Sequence, residues 1–117
     1  MHGFTCWVDK RRHAGLALCA CIALSIAGGA AHAEGKVHTV IIEAMRYAPE
    51  VIEVNVGDTV VWKNRDAFPH TATAQDRSFD SGEIASEGTW KMTAQKKGVL
   101  PYVCTLHPTM KAKLIVK

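Results

Sequence analysis

From residue 37 onward, apolar residues recur at every second position in short runs separated by turn residues. That period places successive side chains on opposite faces, as in strands that bury one side. Val37 to Glu43 is rich in β-branched residues, and Val51 to Val56 alternates as Ile52, Val54 and Val56 before stopping at Gly57-Asp58. Thr59 to Lys63 follows at once, so Val56 to Thr59 reads as a tight turn. His70 to Gln75 alternates Thr and Ala and predicts a weaker strand, and Asp80-Ser81-Gly82 predicts a turn. Thr89 to Thr93, Val99 to Cys104 and Ala112 to Val116 complete the set. No segment of this part sustains a helical period, and no internal repeat is visible. Seven to eight short strands in so small a domain predict an all-β fold, an antiparallel Greek-key sandwich of two sheets. Tyr47, Trp62 and Trp90 are expected in its core, and Pro49 and Pro101 near strand starts, where a missing amide donor is tolerated. His38, inside the first strand, is expected to face solvent.

The beginning of the chain has a different pattern. Lys10-Arg11-Arg12 precedes an apolar run from Ala14 to Ala27, and Ala31-His32-Ala33 is a small-residue cleavage site. Residues 1–33 therefore read as a cleavable signal peptide and residues 34–117 as the exported, periplasmic domain. The run is too short and too rich in Ala and Gly for a membrane span, which takes about 20 strongly apolar residues. Arg11-Arg12 leaves twin-arginine export open, and Leu18-Cys19-Ala20-Cys21 is a partial lipoprotein box that offers Cys21 as an alternative anchor.

Cleavage changes the cysteine arithmetic. Cys6, Cys19 and Cys21 leave with the signal, so Cys104 has no disulfide partner in its own chain. Such a thiol is either buried and inert or protected by a metal. Residues 34–117 carry eleven Lys+Arg and ten Asp+Glu, a net of +1. With no long basic run, nucleic-acid binding by bulk charge is unsupported.

Tyr102-Val103-Cys104-Thr105-Leu106-His107-Pro108-Thr109-Met110 gathers a thiol, an imidazole and a thioether on one short loop between two strands. Taken singly, these residues need be no more than a buried small hydrophobe, a loop histidine and a core filler. Together they differ in softness in a way that suits copper: thiolate and thioether favour Cu(I), while imidazole suits both oxidation states. His70, after Phe68-Pro69, opens a strand where it can reach the same pole and supply the second imidazole. The candidate ligands are His70, Cys104, His107 and Met110. Four protein donors leave little room for substrate, so the expected chemistry is one-electron transfer rather than catalysis. A periplasmic copper carrier or storage protein using the same ligands is the alternative.

The stretch from Tyr47 to Lys117 resembles the cupredoxins, the small blue copper proteins, and within them the amicyanin and plastocyanin branch. Gly57-Asp58-Thr59-Val60-Val61-Trp62-Lys63-Asn64-Arg65-Asp66 followed by Phe68-Pro69-His70 is similar to the strand leading to the family's first ligand. Cys104-x-x-His107-x-x-Met110 has the branch's short loop spacing. The chain departs from the pattern in three places: Leu106 stands where such loops have proline, Thr109 where they have an aromatic residue. Thr71 stands where many relatives have an Asn that buttresses the ligand loop. The resemblance implies one type 1 copper per chain and a His107 ring edge near the surface. It also implies electron exchange with redox protein partners, a dehydrogenase donor and a c-type cytochrome acceptor. Ala67, Phe68, Pro69, Leu106 and Pro108 are expected to form an apolar patch around that edge, rimmed by Lys96, Lys97, Lys111 and Lys113. A monomer is expected.

Overall fold

The computed structural model describes Gly28, Gly29 and residues 35–117. Apart from those two glycines, the expected signal segment and its cleavage site lie outside the described residues. Eight strands follow: β1 (Val37–Glu43), β2 (Arg46–Ala48), β3 (Val51–Val54), β4 (Thr59–Asn64), β5 (Thr73–Ala74), β6 (Thr89–Thr93), β7 (Gly98–Val103) and β8 (Lys111–Val116). They form two four-stranded sheets, ordered β2-β1-β4-β6 and β3-β8-β7-β5. The all-β sandwich is as expected, but it is not antiparallel throughout, because β1 pairs with β4 and β3 with β8 in parallel. A parallel neighbour needs a crossover. Here β3 supplies it by joining the other sheet, so the chain returns beside β1 in the same direction.

Two strands are shorter than alternation alone can mark. β2 has three residues, of which only Tyr47 is buried, so no period is visible. β5 shrinks to two residues, and His70 instead forms an isolated bridge with Ile84. Pro101 sits inside β7 rather than at its start. Its carbonyl accepts the Gln75 amide at 2.9 Å, so the face lacking a donor is the one where β5 has just ended, which a proline tolerates.

The core lies between the sheets. Val40 and Ile42 of β1 and Val60 and Trp62 of β4 meet Tyr102 of β7 and Leu114 of β8, all with no exposed surface. Trp62 stands edge-on to Tyr102 at 5.7 Å and donates its ring N–H to the Tyr102 hydroxyl at 3.3 Å. Burial lifts the Tyr102 phenol to about 12, the Trp62 donor holding it back. Trp90, expected in the core, is only half-buried, its ring 5.3 Å from Trp62 at the rim.

His38 also differs from expectation. It shares the inward phase of Val40 and Ile42, is half-buried, and its Nε2 lies 2.8 Å from an Asp58 carboxylate oxygen. Asp58 also accepts the Lys36 and Asn55 amides, each at 2.9 Å. It closes a turn in which Gly57 takes a φ of 94°, a conformation that suits glycine. The Asn55 amide, then the His38 ring and the Lys36 amide, hold the Asp58 carboxyl down at about 2. A carboxyl whose folded value lies below its unfolded value of about 4 stabilises the fold fully above that pH. The contribution drains away as pH falls toward 2. Asp58→Asn is therefore expected to lower the urea midpoint at neutral pH and to flatten its decline between pH 4 and 2. Equal slopes in both proteins across that window would contradict this.

Candidate metal centre

β4 ends in Asn64, which lies on the inward face with Val60 and Trp62 and is fully buried. Its amide group donates to the carbonyls of Phe68 at 2.9 Å and Ile84 at 3.0 Å, while its side-chain oxygen accepts the Asp66 amide at 2.9 Å. One buried side chain thus shapes the 65–69 loop and delivers His70 into the sandwich end. His70 has no exposed surface, and its Nε2 lies 2.7 Å from an Asp66 carboxylate oxygen. The carboxylate can only accept, so Nε2 carries the proton and Nδ1 keeps its lone pair for the site.

The loop after β7 closes on itself. The Cys104 amide donates to the Met110 carbonyl at 3.1 Å, the Met110 amide to His107 at 2.9 Å, and the His107 amide to Cys104 at 3.2 Å. Three expected ligands are therefore tied into one ring of backbone hydrogen bonds. Cys104 is fully buried, Met110 nearly so, and His107 half-buried.

Nδ1 of His70 lies 3.8 Å from Cys104 Sγ and Nδ1 of His107 lies 3.7 Å from it. The three donor atoms all fall within 4.8 Å of one another. Bonds of about 2.3 Å to sulfur and about 2.0 Å to nitrogen, opened to a trigonal angle, separate the two atoms by about 3.7 Å. The two sulfur–nitrogen spacings match that figure, so the donor triangle fits a first-row metal ion. The Thr71 amide donates to the same sulfur at 3.3 Å. Tyr47 donates its hydroxyl to the Thr71 carbonyl. Burial, then charge on Cys104 and Tyr102, pushes the Tyr47 phenol far above its ordinary range, so it stays a donor.

Asp66 also accepts the amides of Ala44 at 2.7 Å and Met45 at 3.1 Å. These two residues join β1 to β2 with φ of 52° and 60°, left-handed values that cost a non-glycine residue roughly 1–2 kcal/mol each. Burial alone raises the Asp66 carboxyl, but the Met45 amide, the His70 ring and the Ala44 amide outweigh it and leave it below the ordinary value. Asp66→Ala strands the buried His70 ring N–H and two turn amides. It is expected to cost roughly 2–3 kcal/mol in urea unfolding of the metal-free protein and about 10–100-fold in metal affinity. A variant unchanged in both would make the carboxylate a bystander.

His70, Cys104 and His107 are thus brought together at one pole, with Met110 buried in the same loop. The exposed patch is also there: Phe68 is 45% and Leu106 44% exposed, and the Phe68 ring lies 5.8 Å from that of His107. The lysine rim is not as expected. Lys111 follows Met110, but Lys96 and Lys97 precede Gly98, which pairs with Val116 at the other end of β7. Six residues of strand put them roughly 20 Å from the cluster. Periodicity and spacing mark neither Asn64 nor the bracing contacts of the Thr71 hydroxyl, whereas a carboxylate four residues before His70 is a signal for Asp66.

A family model described as cupredoxin-like domain matches residues 15–116. The amicyanin of Paracoccus denitrificans is 32% identical over 90 residues, which span 73% of this chain and 68% of that protein. The halocyanin of Natronomonas pharaonis is 36% identical over 66 residues, 52% of this chain and 40% of that one. A solved Cu(I) form of an amicyanin variant superposes with a TM-score of 0.65 at 33% identity, over 73% of this chain and 85% of that chain. Fold, buried His/Cys/His cluster and relatives together match the class of amicyanin-like type 1 copper electron-transfer proteins. The chain belongs to the cupredoxin family.

Proposed function

We propose that His70, Cys104, His107 and Met110 hold one copper ion and that the protein passes single electrons between redox partners in the periplasm. The observation that carries this is the triangle of Nδ1, Sγ and Nδ1 with sulfur–nitrogen sides of 3.8 and 3.7 Å. When bound, copper would supply the one-electron Cu(II)/Cu(I) couple, with Cys104 as its thiolate donor and Met110 as a weaker thioether donor. The chain's residues do the rest. Asp66 fixes the His70 tautomer, the ring of three amides fixes the loop, and the Thr71 N–H spreads charge off the sulfur. A hydrogen bond to the thiolate draws electron density that would otherwise go to the oxidised metal, which favours the reduced state.

His107, half-buried beneath exposed Phe68, Leu106 and Pro108, is the exit for the electron. So small an apolar surface suits brief docking rather than a lasting complex. The partners in this reading are a dehydrogenase donor and a c-type cytochrome acceptor, and the protein works as a monomer. Residues 1–33 serve as the export signal and residues 34–117 as the mature domain. Among the described residues, no helix is long and apolar enough to cross a membrane. The test is an optical and EPR spectrum of the copper-loaded protein through repeated oxidation and reduction. Reversible bleaching with copper retained supports electron transfer, and release of copper on reduction would favour a carrier.

A further inference from the structure

Thr71 is the junction at which both ligand segments meet, and its hydroxyl belongs to a chain of hydrogen bonds whose direction can be worked out. Thr73 donates its hydroxyl to an Asp80 carboxylate oxygen at 3.0 Å. An ionised carboxylate only accepts, and a hydroxyl has a single proton. The Thr73 proton is therefore spent, so in the 3.0 Å contact between the Thr71 and Thr73 hydroxyls Thr71 must be the donor. That in turn leaves Thr71 only its lone pairs. It accepts the Thr105 amide at 2.9 Å, and in the 3.2 Å contact between their hydroxyls Thr105 is the donor. Every proton from Thr105 through Thr71 and Thr73 points toward Asp80. Thr71 and Thr73 are each 3% exposed, so water offers no ready substitute along the middle of the chain.

Two members of this chain adjoin the cluster. Thr105 directly follows Cys104, and Thr71 directly follows His70 while donating its amide to Cys104 Sγ at 3.3 Å. Asp80 lies in the loop between β5 and the Ile84 bridge, where it also accepts the Gly82 amide at 2.9 Å. Its exposed side chain faces Arg77 at 3.9 Å, a contact that contributes little by itself. We propose that Asp80 is a remote positioning residue for the copper centre: as the terminal acceptor, it orients the hydroxyl chain so that Thr71 pins Thr105 and keeps its own amide on the Cys104 sulfur. Without that acceptor, Thr73 is free to donate to Thr71, and the fixed order of donors is lost.

The inference rests on the copper reading for its redox consequence but not for its structural one, and the experiment separates the two. Amide hydrogen exchange of the metal-free protein is measured for the parent chain, Asp80→Ala, Thr73→Val and Thr73→Ser. The Thr105 and Thr71 amides are expected to exchange about tenfold faster in Asp80→Ala and Thr73→Val, the loss of roughly one hydrogen bond. Core amides such as that of Leu114 should be unchanged, and Thr73→Ser, which keeps the hydroxyl, should restore the parent rates. In the copper-loaded proteins the first two variants should have a lower reduction potential and a shifted visible band, again with Thr73→Ser at the parent values. Parent-like exchange at Thr105 and Thr71 in both deletion variants would overturn the proposal. So would altered exchange accompanied by an unmoved potential, which would leave the chain a purely structural brace. Altered exchange in a protein that binds no copper would instead overturn the copper reading.

Discussion

Replacing Cys104 with serine is expected to abolish the intense visible absorption of the copper-loaded protein and to weaken copper binding about 100–1000-fold. The magnitude follows from the apparent binding energy of a four-donor metal site, roughly 10–16 kcal/mol, or about 2.5–4 kcal/mol for each donor. Cys104 supplies the only sulfur anion of the set, and a serine hydroxyl at the same place is a harder donor that does not ionise at neutral pH. The fold should survive. Serine has nearly the same volume, and the ring of amides linking residues 104, 107 and 110 uses backbone atoms alone. Far-UV circular dichroism should match the parent while the colour is lost. A Cys104→Ser protein that still turned blue with near-parent affinity would remove Cys104 from the metal site.

Trp62→Ala is expected to be the most damaging single change to the fold, at roughly 3–5 kcal/mol. The Trp62 side chain has no exposed surface and contacts the rings of Phe79, Trp90 and Tyr102 at 5.3 to 5.7 Å. Its removal also takes away the donor that the buried Tyr102 hydroxyl accepts. Domains of this kind are stable by roughly 5–15 kcal/mol in total. For their size, each kcal/mol moves the thermal midpoint by roughly 4–8 °C. A fall of more than 10 °C in the metal-free protein, followed by circular dichroism, is the expected reading. Trp62→Phe should recover part of the loss. A fall of only a degree or two would mean that the two sheets do not depend on this ring.

The sandwich was legible because most of its strands are long enough for alternation to show. Ile52 and Val54, or Val60 and Trp62, mark an inward face without help from the rest of the chain. Tyr47 reads as a core aromatic, but its strand β2 does not, since three residues have no period to show. Direction was hidden for a related reason: local alternation is the same in parallel and antiparallel strands, so nothing in Val37 to Glu43 says that β4 runs alongside. The loop half of the cluster was legible because Cys104 and His107 lie only three positions apart. The residues that hold those donors in place were not. Asp66 and Asp80 are ordinary polar loop residues in the sequence and Thr73 an ordinary strand threonine, and their roles come from contacts between segments. Asp66 meets Ala44 and Met45 across 22 and 21 positions, and Thr71 meets Thr105 across 34. The inward placement of His38 is hidden in the sequence because a histidine in a strand looks polar, whereas Asp58 makes that placement tolerable.

The closed circuit of amides in the ligand loop has an evolutionary corollary. Because Cys104, His107 and Met110 satisfy one another through main-chain atoms, the segment behaves as a cassette whose length is fixed while its lettering is free. Changes of side chain at Leu106, Pro108 or Thr109 leave the circuit whole, whereas inserting or deleting a single residue breaks it. Diversification of this protein's potential and docking preferences is therefore channelled into substitutions at the loop's outer positions and away from changes in its count.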